Sequence, residues 1–216
     1  MTETVYIYGP VFSTFVRSVM LCCEEKGIAY QVGSRPFGQR IDYFSDAHAA
    51  LNPHKLFPIL IHGDLRLCET APICRYLDRA FPGVALQPTD NIARAQVDQW
   101  SQDISLYIYD AIARNFLLER VFPKGPDGTV RDAFITEQLP NLQYQLQRLS
   151  TQLADQPYLC GQQLSLADVI LYPLLDSLVR LPDGRQMLDV SVNLSDYLSR
   201  LQQRPSAQAI RRQQEK

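Results

Sequence analysis

The sequence predicts a small α/β unit followed by an all-helical one, and three observations carry that expectation. Short β-branched and aromatic runs, a hairpin signal and two helical patterns occupy the first 81 residues. A turn-rich stretch follows, from Phe81-Pro82-Gly83 to Pro88-Thr89-Asp90. Beyond it only long helical periodicities remain. The expected boundaries are therefore 1–81 for the α/β domain, 82–90 for the linker and 91–216 for the helical domain.

Thr4 to Tyr8 reads as a first strand. Phe15, Val16, Val19, Met20 and Cys23 then recur at helical spacing, and Gly27 follows as a C-terminal cap would. Ala29 to Val32 reads as a second strand, and Gly33 to Ala50 as loop with one helical turn. Ile59–Ile61 and Leu65–Cys68 are short apolar runs split by Gly63-Asp64, the pattern of a β-hairpin. Thr70 to Arg79 then opens a helix. This β-α-β, β-β-α order is the thioredoxin-like one, shared with other small α/β domains.

In the second half, Ala93, Val97, Trp100, Ile104, Tyr107 and Ala111 form one stripe. Ile135, Leu139, Leu142, Leu146, Leu149 and Leu153 form another, with Pro140 expected to kink it. Lys124-Gly125-Pro126-Asp127-Gly128 is the loop between these helices. Ser165 to Leu175 and Leu194 to Gln203 supply further helices. Ser165 and Asp168 have the spacing of a capping box, read here as structural. The tail after Pro205 is polar and expected to fray.

Composition narrows the functional classes. Lys plus Arg number 21 and Asp plus Glu 23, so a formal net charge of -2 gives no electrostatic reason to expect nucleic acid or an anionic membrane. No apolar run approaches the roughly 20 residues of a spanning helix. Met1-Thr2-Glu3-Thr4 lacks the basic flank of a signal peptide. Five cysteines without a Cys-x-x-Cys pair suggest neither a disulfide framework nor a metal site. His48, His54 and His62 are spread over loop and hairpin and suggest no metal either. A cytoplasmic, reducing compartment is expected.

The chemistry concentrates around the hairpin. Pro58 cannot donate to a sheet ladder, so it belongs at a strand's first position or edge. A cis peptide there would turn the backbone of Phe57 outward, leaving its N–H and C=O for an extended peptide. Glu69-Thr70 then opens a helix, whose free N–H groups and dipole favour a carboxylate. Strand edge and helix start together describe a peptide-binding ledge. Ser13 lies at the start of the first helix, where its hydroxyl either caps the helix or donates to a bound thiolate. Both roles are open on the residues alone.

The segment from Asn52-Pro53 through Phe57-Pro58 and the hairpin to Glu69-Thr70 resembles the glutathione-binding half of the cytosolic glutathione transferases. Tyr8-Gly9-Pro10-Val11-Phe12-Ser13-Thr14, with Arg17 and Glu24 to Tyr30, resembles that family's first strand, active-site loop and first helix. Tyr158-Leu159-Cys160-Gly161 followed by Leu164 to Asp168 is similar to its second-domain signature. The likeness runs from Val5 to about Pro205.

The resemblance implies a serine-type, phi- or theta-like transferase of the kind common in bacteria. Ser13 would activate the thiol, with Tyr8, the tyrosine-type position, as the alternative and Thr14 a weaker third. Glutathione, the co-substrate, would be held by Phe57, Pro58, Glu69, Thr70 and Lys55, with no metal. Phe12, Tyr107, Arg114, Asn115 and Phe116 would line a cleft for a hydrophobic electrophile, although most suit bundle packing equally. A homodimer, with the first domain of one subunit against the bundle of the other, is also implied.

One departure stands out. The family carries Gly and then Lys or Gln where this chain has Lys55 and Leu56. Lys55, His54, His48 and Arg40 are the basic groups that could replace the missing contact to the glycine carboxylate. Three other activities remain beside conjugation. A peroxidase or dehalogenase would use the same thiolate, and a non-catalytic binding module would use only the ledge. A maleyl-type isomerase is disfavoured because Phe12-Ser13-Thr14-Phe15 lacks its Ser-Ser-x-Cys loop.

Overall fold

The computed structural model describes residues 4–214. Residues 1–3, most of the amino terminus read above for a targeting signal, lie outside the described residues, as do 215–216. The chain forms two compact units, Met1–Thr89 together with Gln203–Lys216, and Asp90–Gln202.

In the first unit the order is β1 (Val5–Tyr8), α1 (Thr14–Lys26), β2 (Tyr30–Gly33), a 3-10 turn (Pro36–Gly38), α2 (Asp46–Leu51), β3 (Ile59–His62), β4 (Leu65–Cys68) and α3 (Thr70–Ala80). The sheet order is β2-β1-β3-β4. β1 and β2 are parallel, which requires the crossover that α1 supplies, whereas the β3–β4 hairpin is antiparallel. The expected thioredoxin-like arrangement is present. Val5, Ile7, Val16, Val19, Met20, Ile59, Leu60, Ile73 and Leu77 have no exposed surface and make its core. Gly27 ends α1 in the left-handed region, at φ 67°, and its N–H bonds back to Cys23 and Glu24 as a C-terminal cap.

Two stretches differ from expectation. The segment between β2 and β3 contains α2, whose start is fixed by Ser45 accepting from the His48 N–H at 3.2 Å. The polar tail is a helix, α10 (Pro205–Gln214), packed on α1 and part of the first unit rather than of the helical one. Ile210 is fully buried, and Arg204 grips the nearly buried Glu25 carboxylate through Nε and Nη2, with Ser206 Oγ also donating to it. Gln213 bonds the Tyr30 hydroxyl at 2.7 Å. The turn-rich stretch is tied down too: Lys26 bonds Asp78 at 3.1 Å and the Val84 carbonyl at 3.0 Å, and Asp78 accepts from Leu86 N–H.

The second unit is all-helical. α4 (Asn91–Asp103) continues through π-type stretches (Ile104–Ile108 and Asp110–Leu117) into α5 (Leu118–Val121). α6 (Asp132–Leu153) runs unbroken past the exposed Pro140, and is followed by α7 (Leu166–Leu178), α8 (Pro182–Asp189) and α9 (Val192–Gln202). The α6 stripe buries Ile135, Leu142, Leu146, Leu149 and Leu153 as expected. The first stripe slips in phase. A π turn holds more residues than an α turn, so burial passes from Ile104 to Ile108 and leaves Tyr107 59% exposed. Trp100 is half-buried under the Arg148 guanidinium rather than a core residue.

Asp168 is fully buried, accepting from Ser165 N–H and Oγ, Leu159 N–H and Tyr197 Oη. These bonds suit the structural role expected of the Ser165–Asp168 pair. Among the described residues no helix is long and apolar enough to cross a membrane.

Candidate functional site

Strand register assembles the site. Tyr8 pairs with Ile59, and Ile59 with Cys68. The loop after β1, the Phe57-Pro58 peptide before β3 and the Glu69-Thr70 junction after β4 are therefore neighbours at one end of the sheet. The Phe57-Pro58 bond is cis. Gly9 lets the first two segments meet: a Cβ there would stand 2.5 Å from Val16 Cγ2 and 3.2 Å from Phe57 Cβ, and its φ of 152° suits glycine.

Ser13 is the N-cap of α1, half-buried, with extended backbone at φ -63° and ψ 128°. Its carbonyl accepts from Arg17 N–H at 2.9 Å, but its side chain makes no capping bond. A capping serine ordinarily bonds the N2 or N3 amide. Thr14 begins α1, and Arg17, one turn further on, is fully buried.

Tyr8 has no exposed surface. Its hydroxyl donates to the Ile41 carbonyl at 3.3 Å, and its ring meets Tyr43, His48 and Phe57 at 5.5, 5.0 and 5.8 Å between centroids. Burial, with smaller contributions from Tyr43, Asp42 and Tyr6, pushes its phenol up to about 12.

Glu69 is exposed and is the N-cap of α3, with no side-chain capping bond. Its backbone stands at φ 70°, ψ 126°, a region a non-glycine residue occupies only when its surroundings hold it there, and one enriched at ligand clamps. Thr70, the first residue of α3, is buried. Phe57 is half-buried and Pro58 buried.

The basic candidates separate clearly. Lys55 Nζ donates to the Phe44 carbonyl at 2.9 Å and lies 3.8 Å from Asp46. Arg40 bonds Asp42 in the open, and His54 is exposed. His48 has no exposed surface: its Nδ1 accepts from Phe44 N–H at 3.1 Å and its Nε2 lies 3.4 Å from the Leu56 carbonyl. Burial foremost, and the Lys55 charge beside it, hold its pKa below the usual imidazole value against the Leu56 bond. It is therefore a buried loop contact, not a surface cation. Leu56 is 56% exposed where the missing cation would stand.

Phe12 is 62% exposed on the first unit. On the second, Tyr107 is exposed, and Arg114 pairs with Asp110 at 3.0 Å on the surface. Asn115 bonds Gln138, while Phe116 is core, under the Arg120 guanidinium. Tyr43, Phe44 and His48 as an aromatic set around Phe57 were not read from the sequence. The Ser45-Asp46-Ala47-His48 start of α2 is the signal that could have found them, since a serine cap places the histidine in the first turn.

Two family models match, the glutathione S-transferase N-terminal domain over residues 7–85 and the C-terminal domain over 121–210, together well over half of the chain. The chain belongs to the glutathione S-transferase family. As a member it is an enzyme, a glutathione transferase. It is 26% identical to glutathione S-transferase F12 of Arabidopsis thaliana over 94% of each chain. A theta class glutathione S-transferase of Xanthomonas axonopodis pv. citri, solved with glutathione bound, is 29% identical, covers 96% of each chain and has a TM-score of 0.81. A maize glutathione S-transferase I, solved with an atrazine glutathione conjugate, is 26% identical over 98% of each, with a TM-score of 0.84.

Proposed function

We infer that the chain conjugates the glutathione thiolate to a small hydrophobic electrophile, as a serine-type, phi- or theta-like transferase with Ser13 activating the thiol. The carrying observation is half-buried Ser13 at the start of α1, whose hydroxyl the helix does not use as a cap. Donated to a bound sulfur, it favours the thiolate, and the helix terminus adds to the effect. The thiol proton leaves to solvent, the sulfur forms a bond to the electrophilic carbon, and the displaced group departs with its electron pair. Tyr8 suits this role less, because its phenol is buried and bonded to the Ile41 carbonyl.

Glutathione would lie along the ledge, its glutamyl end at Glu69 and Thr70 and its peptide on Phe57 beside Pro58, with Lys55 the basic group offered for its other end. The strained backbone of Glu69 supports that assignment. Phe12, Tyr107 and Arg114 are the residues offered for the electrophile. The relatives solved with glutathione or a glutathione conjugate support the ligand class. The exposed Leu56 favours, as a second reading, a module that binds glutathione weakly without turnover.

A calorimetric titration tests the ledge. Glu69→Ala should raise the glutathione dissociation constant about tenfold or more, since a charge-assisted contact is worth about 1.5–3 kcal/mol; unchanged affinity would sink the assignment. The chain is also read as a cytoplasmic homodimer on its family membership. A sedimentation mass near one 24.6 kDa chain at micromolar concentration would contradict the dimer.

A further inference from the structure

We propose that His48 is a positioning residue of the glutathione ledge, one neutral imidazole holding Phe44 and Leu56 in place around Phe57. The inference rests on the ledge being the glutathione site. The ring accepts at one nitrogen and faces a carbonyl with the other: Phe44 N–H donates to Nδ1 at 3.1 Å, and Nε2 stands 3.4 Å from the Leu56 oxygen. Because Nδ1 accepts, the proton sits on Nε2 and is directed to Leu56. The same ring stacks on Phe57, with centroids 4.7 Å apart and planes 18° off parallel, and meets Tyr8 edge-on from β1.

Both backbone groups it touches bear on the ledge. The Leu56 carbonyl lies one peptide before Phe57 and also accepts from Asn52 Nδ2 at 3.2 Å, so two side chains aim the peptide that leads into the cis bond. Phe44 stands at φ 66°, where a bulky side chain stays only if held. His48 takes its N–H and Lys55 its carbonyl, one from either side. Phe44 is 65% exposed, and its ring centroid lies 5.7 Å from that of Phe57. Strand register sets Glu69 beside Pro58, whereas Phe44 reaches the ledge through Lys55, two residues before Phe57. An extended tripeptide anchored at Glu69 and passing Phe57 therefore meets Phe44 and Leu56 with its far end. His48 touches no ligand itself; it determines where that end is received.

The test compares His48→Phe, which keeps an aromatic ring on Phe57 and removes both hydrogen bonds, with His48→Gln, which keeps a donor near the Leu56 carbonyl. Glutathione binding is measured by calorimetry and turnover with an aryl halide on the full chain. His48→Phe should raise both the dissociation constant and the KM for glutathione about tenfold, with kcat changed less than about twofold, and His48→Gln should recover part of the affinity. If His48→Phe does not fold, His48→Gln carries the test, with a weakening of about threefold or more expected. A wild type that binds glutathione while the folded variants bind it equally well, or lose kcat at unchanged affinity, overturns the positioning role alone. A wild type that does not bind glutathione overturns it together with the ledge assignment.

Discussion

Replacing Ser13 by alanine removes one hydroxyl from the start of α1, and the structure separates what that hydroxyl does for the fold from what it would do for sulfur. A serine cap that bonds the helix is worth about 1 kcal/mol, but here the side chain makes no capping bond. Ser13→Ala should therefore shift stability by less than about 0.5 kcal/mol in urea titrations. A hydrogen bond to a charged group contributes about 1.5–3 kcal/mol, so its loss should cut turnover with an aryl halide by about ten- to a hundred-and-fifty-fold. The pH at which bound thiolate appears in ultraviolet difference spectra should rise, while glutathione affinity stays close to wild type. Tyr8→Phe is the control. It loses the bond to the Ile41 carbonyl and costs about 0.5–1.5 kcal/mol of stability, but should leave the thiolate transition in place. Reversal of the two behaviours would refute the serine assignment, and a wild type with no thiolate transition would favour the binding module.

Docking of α10 predicts that Arg204→Ala, just before the helix, lowers stability by about 1–3 kcal/mol in urea, since Glu25 loses the guanidinium and keeps the Ser206 hydroxyl of α10; an unchanged midpoint would mean that the helix is not held there. Glu119, almost fully buried, accepts two hydrogen bonds from Arg131 and one from Lys124, and these hold its carboxyl down to about 2. Its folded pKa is depressed, so its contribution is complete above about 4.5 and disappears as pH falls through about 2. Thermal melts of wild type and Glu119→Gln should therefore converge in acid, and a constant gap across that window would contradict the assignment.

The parts of the fold legible in sequence were those set by local chemistry. Gly63-Asp64 between apolar runs, Pro58 at a strand start and Gly27 after a helical stripe each restrict the backbone by their own sterics, and all stand where expected. Tyr107 was misplaced because a stripe drawn at α spacing cannot show a π turn. α10 was missed because its burial rests on few apolar residues, Ala207 and Ile210 among glutamines and arginines, and on polar partners distant in sequence. That the segments carrying Ser13, Phe57 and Glu69 would lie at one end of the sheet was legible through their order along the chain. His48 was read only as a candidate cation; its burial was not legible, since both its hydrogen-bond partners are backbone groups, which carry no residue signature.

The return of α10 to the first unit has a consequence for synthesis. The ribosome finishes the sheet and α1 early, yet the helix packed on α1, whose Ser206 partners Glu25, is made only after the whole helical unit. Until α10 is made, the α/β unit waits with one flank of α1 bare, and the whole helical unit must be synthesised before that flank closes. A fragment cut at the linker would preserve this immature state permanently, so the α/β unit expressed alone corresponds to a nascent chain rather than to a finished domain.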